Sequence, residues 1–407
     1  MGFTMLLENR FEQVIGRMRE AAVPLRVELW NGRRFDLSSE PTVTVAIPKP
    51  TALQYFISPD LAKLGEAFVE GHIHVEGPIH EVFRAGERLA RTLGGAGRRG
   101  AARPARHDRE RDRRAIEYHY DVSNDFYALF LDRERVYSCA YFRDESDSLD
   151  TAQIRKLDHI LTKLALRPGE RFLDIGCGWG ALIVRAARDY GAVAKGITLS
   201  KHQYEHVRER IRAEGLADRC TVELRDYRDL AGEGPFDKIA SVGMFEHVGI
   251  RNLPVYFNTI AALLADDGLV LNHGITRSDV DSEWMRFGAG EFIDRYVFPD
   301  GELPHLSTVV ELMSRAELEV TDVESLRRHY ARTCREWAER LESNREAAAR
   351  IAGERRTRIW RIYLAGCAYG FANGWMNIYQ ILAGKAGGVA KLPLTRDYMY
   401  AGAGAAR

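Results

Sequence analysis

Beyond residue 115, apolar residues fall into short continuous runs separated by longer stretches with helical spacing. The runs 171–175, 193–197, 221–224, 236–242 and 269–273 predict strands, and 181–190, 201–214 and 253–264 predict the helices between them. The regular alternation of such strands with helices predicts an α/β domain around a mostly parallel sheet. The pattern breaks at 276–304. That segment is too long for an ordinary connection and carries Trp284, Phe287, Phe292, Tyr296 and Phe298, and long structured insertions are often functional. A helix over 308–315, a strand over 319–326, a long charged helical region over 334–369 and a last strand over 376–382 follow.

Upstream, residues 1–95 read as a smaller unit with a strand over 43–47 and a helix over 59–71, whose Leu61, Leu64 and Phe68 share a face. Between the two lies a Gly/Arg-rich linker, 96–114, with Arg98, Arg99, Arg103, Arg106, Arg109, Arg111, Arg113 and Arg114. Without apolar periodicity it cannot bury enough surface to offset chain entropy, and it reads as a solvated tether. A sharper reading makes it a basic arm for anionic lipid headgroups. The organisation is therefore 1–95, linker 96–114, and a catalytic domain 115–407.

Composition narrows this only slightly. Acidic and basic side chains balance at 58 each, so net charge gives no reason to expect a nucleic acid. Cys139, Cys177, Cys220, Cys334 and Cys367 are scattered, without metal-binding or disulfide-framework spacing, which fits a reducing, cytosolic compartment. The first residues lack the apolar core of a signal peptide. The apolar stretch 363–386 is interrupted by Gly366, Gly370, Asn373, Gly374, Asn377 and Gln380 and falls short of a membrane span. The expectation is a soluble protein, compatible with work at a membrane surface.

The first strand runs into Asp174-Ile175-Gly176-Cys177-Gly178-Trp179-Gly180 and then a helix. Glycines allow a tight turn and close backbone approach to a ligand, and the helix N-terminus favours negative charge. The spacing is tighter than the pyrophosphate-binding Gly-x-Gly-x-x-Gly. Led by an acid, it suits an amino acid joined to adenosine. It resembles motif I of class I S-adenosylmethionine-dependent methyltransferases. At the end of the second strand, where such enzymes usually carry a ribose-binding acid, this chain has Thr198, with Gln203 nearby. Tyr227, after the third strand, suits an adenine wall. Glu246 and His273 follow the fourth and fifth strands, and ligands of doubly wound sheets bind at that edge. His247 reads equally well as a local packing residue.

Tyr137-Ser138-Cys139-Ala140-Tyr141-Phe142, His119-Tyr120-Asp121, the glycine turn with Trp179, Phe245-Glu246-His247-Val248-Gly249, Phe298-Pro299-Asp300-Gly301 and His329-Tyr330 together resemble the cyclopropane fatty acid synthases over roughly 115–385. Ile57-Ser58-Pro59-Asp60 and Glu70-Gly71-His72-Ile73-His74 are similar to the amino-terminal domain of the phospholipid-modifying members. The resemblance implies a Rossmann-like class I methyltransferase domain with a seven-stranded sheet, preceded by a smaller α+β domain that handles lipid. It implies methyl transfer from S-adenosylmethionine to a cis double bond of a phospholipid acyl chain, then proton loss to a bound bicarbonate as a cyclopropane ring closes. The bicarbonate positions correspond to Cys139 and Ile275 through their backbones, Glu246, His273 and Tyr330. The donor falls to Tyr137, Ser138, Asp174, Gly176, Gly178, Gly180, Thr198, Gln203 and Tyr227. Peripheral attachment to the inner face of the membrane is implied, and a homodimer is compatible. Rival readings are a fatty acyl methyltransferase giving a methylene or methyl-branched chain, a small-molecule methyltransferase, and a non-catalytic lipid-binding protein of the same fold.

Overall fold

The computed structural model describes residues 2–57, 60–93, 123–280, 289–298 and 301–400. The arginine-rich linker, His119-Tyr120-Asp121, Trp284, Phe287 and Pro299-Asp300 lie outside the described residues, as do Ser58 and Pro59. The chain divides into two compact units, the larger holding Pro104–Val280, Asp300–Thr333 and Met376–Arg407.

In the larger unit the predicted strands assemble into one seven-stranded sheet. Its spatial order is Glu319–Ser325, Met376–Gly384, Leu264–Arg277, Phe236–Val242, Arg171–Ile175, Val193–Thr198 and Cys220–Leu224. Pairing is parallel from Leu264–Arg277 to Cys220–Leu224, while Met376–Gly384 is antiparallel to both neighbours. This is the mostly parallel, Rossmann-like α/β sheet expected. Alternate residues go to opposite faces: Phe172, Leu271 and Leu382 join Leu157, Ile183 and Val207 in one apolar cluster. Leu173, Val270 and Ile381 join Phe257, Ile260 and Met313 in another. The strand expected over 269–273 runs instead from Leu264 to Arg277, because Met376–Gly384 pairs with it as far as Arg277. The order of the sheet reverses at Arg171–Ile175, whose neighbours are the second and fourth strands of this unit in the chain, so its C-terminal end is the switch point where ligands bind.

A helix not among those expected, Leu149–Lys163, packs Leu157, Ile160 and Leu161 into the apolar cluster of Phe172. Ser148 caps it, its Oγ accepting from the Thr151 N–H at 3.2 Å. Its buried positions include Gln153, Lys156, His159 and Lys163. Leu149, Ala152, Leu157, Ile160 and Leu161 form its buried apolar stripe, and these polar residues interrupt it.

The smaller unit comprises Met1–Arg103, Asp281–Pro299 and Cys334–Trp375. Its four-stranded sheet has the order Arg34–Asp36, Leu25–Leu29, Val43–Ile47, His74–Glu76. The helices Leu61–Val69 and Ile79–Leu93 pack with Glu354–Ala372, which comes from far along the chain. Sequence pattern placed 276–304 and 334–369 within one continuous stretch, 115–407. Helical spacing reports which residues share a face but not which partner that face meets. The expected 334–369 helical region is three helices, Arg327–Ser343, Arg345–Ala352 and Glu354–Ala372, divided at Asn344 and at Gly353 with φ +80°. Close packing rests on two glycines. A Cβ on Gly366 would lie 2.8 Å from the Phe83 ring, and one on Gly65 2.7 Å from the ring of Phe292. Phe292 and Tyr296 of the aromatic insertion are thus core residues of this unit, with Phe298 packed against the same cluster.

Candidate functional site

The glycine turn lines an open cleft at the switch point, about 960 Å3 including the open space at its mouth. Gly176, Gly178 and Gly180 have φ of +85°, +55° and +82°, a region closed to most side chains. A Cβ on Gly178 would meet no protein atom within 4 Å, so its backbone faces the open cleft. Gly180 instead starts the helix Ala181–Asp189, and a Cβ there would strike Val207 at 2.8 Å.

Of the donor-site residues expected from sequence, Tyr137, Ser138, Asp174, Gly176, Gly178, Thr198, Gln203 and Tyr227 line the cleft; Gly180 does not. Thr198 Oγ1 donates to Gln203 Oε1 at 2.8 Å, so the two polar groups standing in for an acid are already tied together. Asp174 Oδ1 is enclosed without a hydrogen-bond partner, and burial pushes that carboxyl up to about 7. Lys156, which sequence reasoning missed, lies behind Ser138 and gives its Oγ a hydrogen bond of 3.0 Å. Burial lowers Lys156 to about 8 against the pull of Asp132, Cys139 and Asp174. A single lysine inside a helix gives no sequence signal. His247 also lines the cleft, so it does more than pack locally. An orphaned buried carboxylate oxygen, an exposed glycine backbone and an aromatic wall fit an amino acid joined to adenosine.

The other expected group gathers beside this cleft, around the fifth strand. Gly243 lines the cleft and its N–H donates to the His273 carbonyl at 2.8 Å. The short helical turn Phe245–His247 carries Glu246, whose Oε1 accepts from the Ile275 N–H at 2.7 Å. Ile275 therefore holds Glu246 with the backbone group expected to face an anion. The turn is seated by Gly274, where a Cβ would fall 1.6 Å from the Phe245 ring. Although Glu246 is partly exposed as a residue, its Oε2 is enclosed and unpartnered, and burial raises the carboxyl to about 7 against the Ile275 hydrogen bond.

His273 is fully buried. Burial, reinforced by the nearby Lys156 and Lys163, holds it well below the ordinary imidazole value, so it is neutral. Gln380, its register partner on Met376–Gly384, presents Nε2 to His273 Nδ1 at 3.4 Å. With the amide in this orientation its nitrogen donates, so Nδ1 accepts and the ring proton sits on Nε2. That Nε2 has no protein partner. Gln380 is in turn the register partner of Glu324, which His159 Nε2 meets at 2.7 Å and Lys163 Nζ at 2.6 Å.

Cys139 and Tyr330 join the group through Leu326. The Leu326 carbonyl accepts from Cys139 Sγ at 3.7 Å and from the Tyr330 N–H at 2.9 Å. Its own N–H donates to Ile378, the register partner of Ile275. Burial pushes the Cys139 thiol far above its ordinary value, which removes it as a nucleophile.

The mycolic acid cyclopropane synthetase family matches residues 107–381, and a family described only as a domain of unknown function matches 11–93. A probable fatty acid methyltransferase of Pseudomonas putida is 50% identical over 380 residues, 93% of this chain and 96% of that protein. The tuberculostearic acid methyltransferase UfaA1 of Mycobacterium tuberculosis is 38% identical, covering 67% of this chain and 65% of its own length. The crystal structure of mycolic acid cyclopropane synthase CmaA1 complexed with SAH and CTAB superposes with a TM-score of 0.64 at 36% identity, over 67% of this chain and 97% of that one. The chain belongs to the mycolic acid cyclopropane synthetase family of class I methyltransferases and is an enzyme that transfers methyl groups from S-adenosylmethionine to lipids.

Proposed function

We propose that the protein methylates the cis double bond of an unsaturated phospholipid acyl chain and closes a cyclopropane ring there. The observation that carries this reading is the pair of enclosed, unpartnered atoms Glu246 Oε2 and His273 Nε2 beside the donor cleft. Buried polar atoms without partners are costly unless a ligand completes them. Near neutrality the raised Glu246 carboxyl retains a proton to give, and His273 presents an N–H. Two buried donors without protein partners suit a small oxyanion, and Tyr330 with the Cys139 backbone would complete its surroundings. Bicarbonate held there would supply a base.

An alkene is a weak nucleophile, so the protein's first task is to align it. Thr198 and Gln203 would hold the donor's ribose, Tyr227 its adenine, and Tyr137, Ser138 and Asp174 its amino acid end. The alkene electrons form a bond to the methyl carbon as the methyl–sulfur bond breaks and S-adenosylhomocysteine leaves. The resulting cation must be kept from water, for which the buried Phe245 and Tyr330 are suited. The new methyl then loses a proton to the base, and the freed electron pair closes the ring.

A second reading has its own support, since two relatives are called fatty acid or tuberculostearic acid methyltransferases. In it the cation has another fate: a hydride shift followed by proton loss from the new methyl gives a methylene branch, and proton loss from a neighbouring chain carbon gives an unsaturated methyl-branched chain. Expression in a host without cyclopropane lipids, followed by double-bond-sensitive derivatisation and mass spectrometry of its fatty acids, separates the two. A ring at the former double bond is expected. A branch selects the second reading, and no new acyl product overturns both. Among the described residues no helix is long and apolar enough to cross a membrane, so the substrate would be reached from the bilayer surface.

A further inference from the structure

The smaller unit encloses a cavity of its own, about 600 Å3 including its mouth. Its walls come from the strands Leu25–Leu29 and Val43–Ile47, the helices Leu61–Val69 and Ile79–Leu93, and Ile362 of Glu354–Ala372. Every lining residue is Leu, Ile, Val, Phe, Ala or Gly. The inner end is dry, with Leu25, Val43, Phe56 and Leu89 each 2% exposed or less. Leu64, Val75, Val82, Gly86 and Ile362 are partly exposed and mark the mouth.

Protein interiors tolerate few voids larger than a water molecule, because unfilled apolar space forfeits contacts. A lining without a polar side chain gives no hydrogen-bonding side chain to a sugar, a nucleotide or a peptide backbone. A hydrocarbon chain is satisfied there, provided its polar end stays among the partly exposed residues of the mouth. Gly86 sits inside a helix, where glycine is a poor choice. A Cβ there would touch only Leu61, at 3.7 Å, so the protein itself leaves room for a side chain at the mouth.

We infer that this cavity takes the methyl-terminal part of one fatty acyl chain, with the polar end of the lipid at the mouth. The inference rests on the family's action on lipids and not on ring formation. It gives the smaller unit a binding role separate from the donor cleft. The occupant is either a free fatty acid or one chain of a phospholipid.

The test is photolabelling of the full-length protein by a fatty acid with a diazirine near its methyl end. The probe is offered either free or esterified in phosphatidylglycerol vesicles, and adducts are mapped by peptide mass spectrometry. Adducts are expected on residues 61–89 or 354–372. Gly86→Leu should reduce them, since excluding two methylenes costs about tenfold in affinity. Val82→Phe, one turn earlier on the same face, provides a second block. Adducts in the methyltransferase unit should be the same in both variants. Labelling by the free probe alone identifies a fatty acid, and labelling from vesicles identifies a phospholipid chain. Adducts confined to the methyltransferase unit, or undiminished adducts in folded variants, overturn the inference while leaving the catalytic reading intact.

Discussion

Glu246 is the residue on which the chemistry can be separated from the fold. Glu246→Gln removes the acidic proton while keeping the volume and an oxygen for the Ile275 N–H. We expect S-adenosylmethionine binding to persist and turnover to fall at least ~10²-fold, the scale of lost acid–base or electrostatic help. Near-parental turnover would remove Glu246 from the mechanism. The same variant reports the carboxyl's environment. Folded, Glu246 is raised from its ordinary 4.5 to about 7 by burial, so the native state binds more protons than the unfolded state between those values. The stability this provides is fully present below about pH 4.5 and is lost as pH rises to about 7. Relative to Glu246→Gln, the parent should lose on the order of 3 kcal/mol over that window, measured by urea unfolding. Parallel pH profiles would show that the carboxyl is not so buried. At Gly178 the positive φ and the open space above its Cα make a sharper test. Gly178→Val should cost about 1–2 kcal/mol of backbone strain and abolish donor binding in calorimetry, because its methyls project into the cleft. Unchanged affinity would mean the donor sits elsewhere.

Between elements, the helix Leu149–Lys163 and the strand Glu319–Ser325 are joined by a buried ionic cluster. Lys163 is wholly enclosed and meets Asp322 at 3.2 Å and Glu324 at 2.6 Å. Burial would raise Glu324, but His159 and Lys163 overcome this and hold it down to about 2. Its stabilising contribution is therefore present above the ordinary carboxylate range and lost as pH falls through about 4.5 to 2. Removing one partner leaves buried charge uncompensated, so Lys163→Met should destabilise by about 3–5 kcal/mol in urea unfolding. A smaller loss, with Asp322 still on Arg396 and Glu324 still on His159, would show that the remaining pairs suffice. Because Gln380 lies between Glu324 and His273 in register, the cluster also braces the strand that orients the imidazole.

For the whole molecule, the proposal that substrate is drawn from a bilayer predicts a separable effect of the linker. Neutralising Arg98, Arg99, Arg103, Arg106, Arg109, Arg111, Arg113 and Arg114 should weaken activity on anionic vesicles at low salt, where screening is least, and spare donor affinity. Equal vesicle binding by the variant would make the linker a solvated tether only. Much of the methyltransferase sheet was legible from residue order: the strands are short apolar-rich runs between helical stretches, and Asp174 through Gly180 states its turn within seven consecutive positions. Thr198 and Tyr227 were expected from their places after successive strands and Tyr137 and Ser138 from the resemblance alone, and all four line the cleft. Lys156 beneath Ser138, Gln380 against His273, and the return of 334–375 to the smaller unit were not legible. Local constraints such as glycine φ and apolar periodicity act on neighbours in the chain and are written there. Which buried polar group meets which, across 107 residues between His273 and Gln380, is fixed only when antiparallel pairing and burial bring distant strands into register.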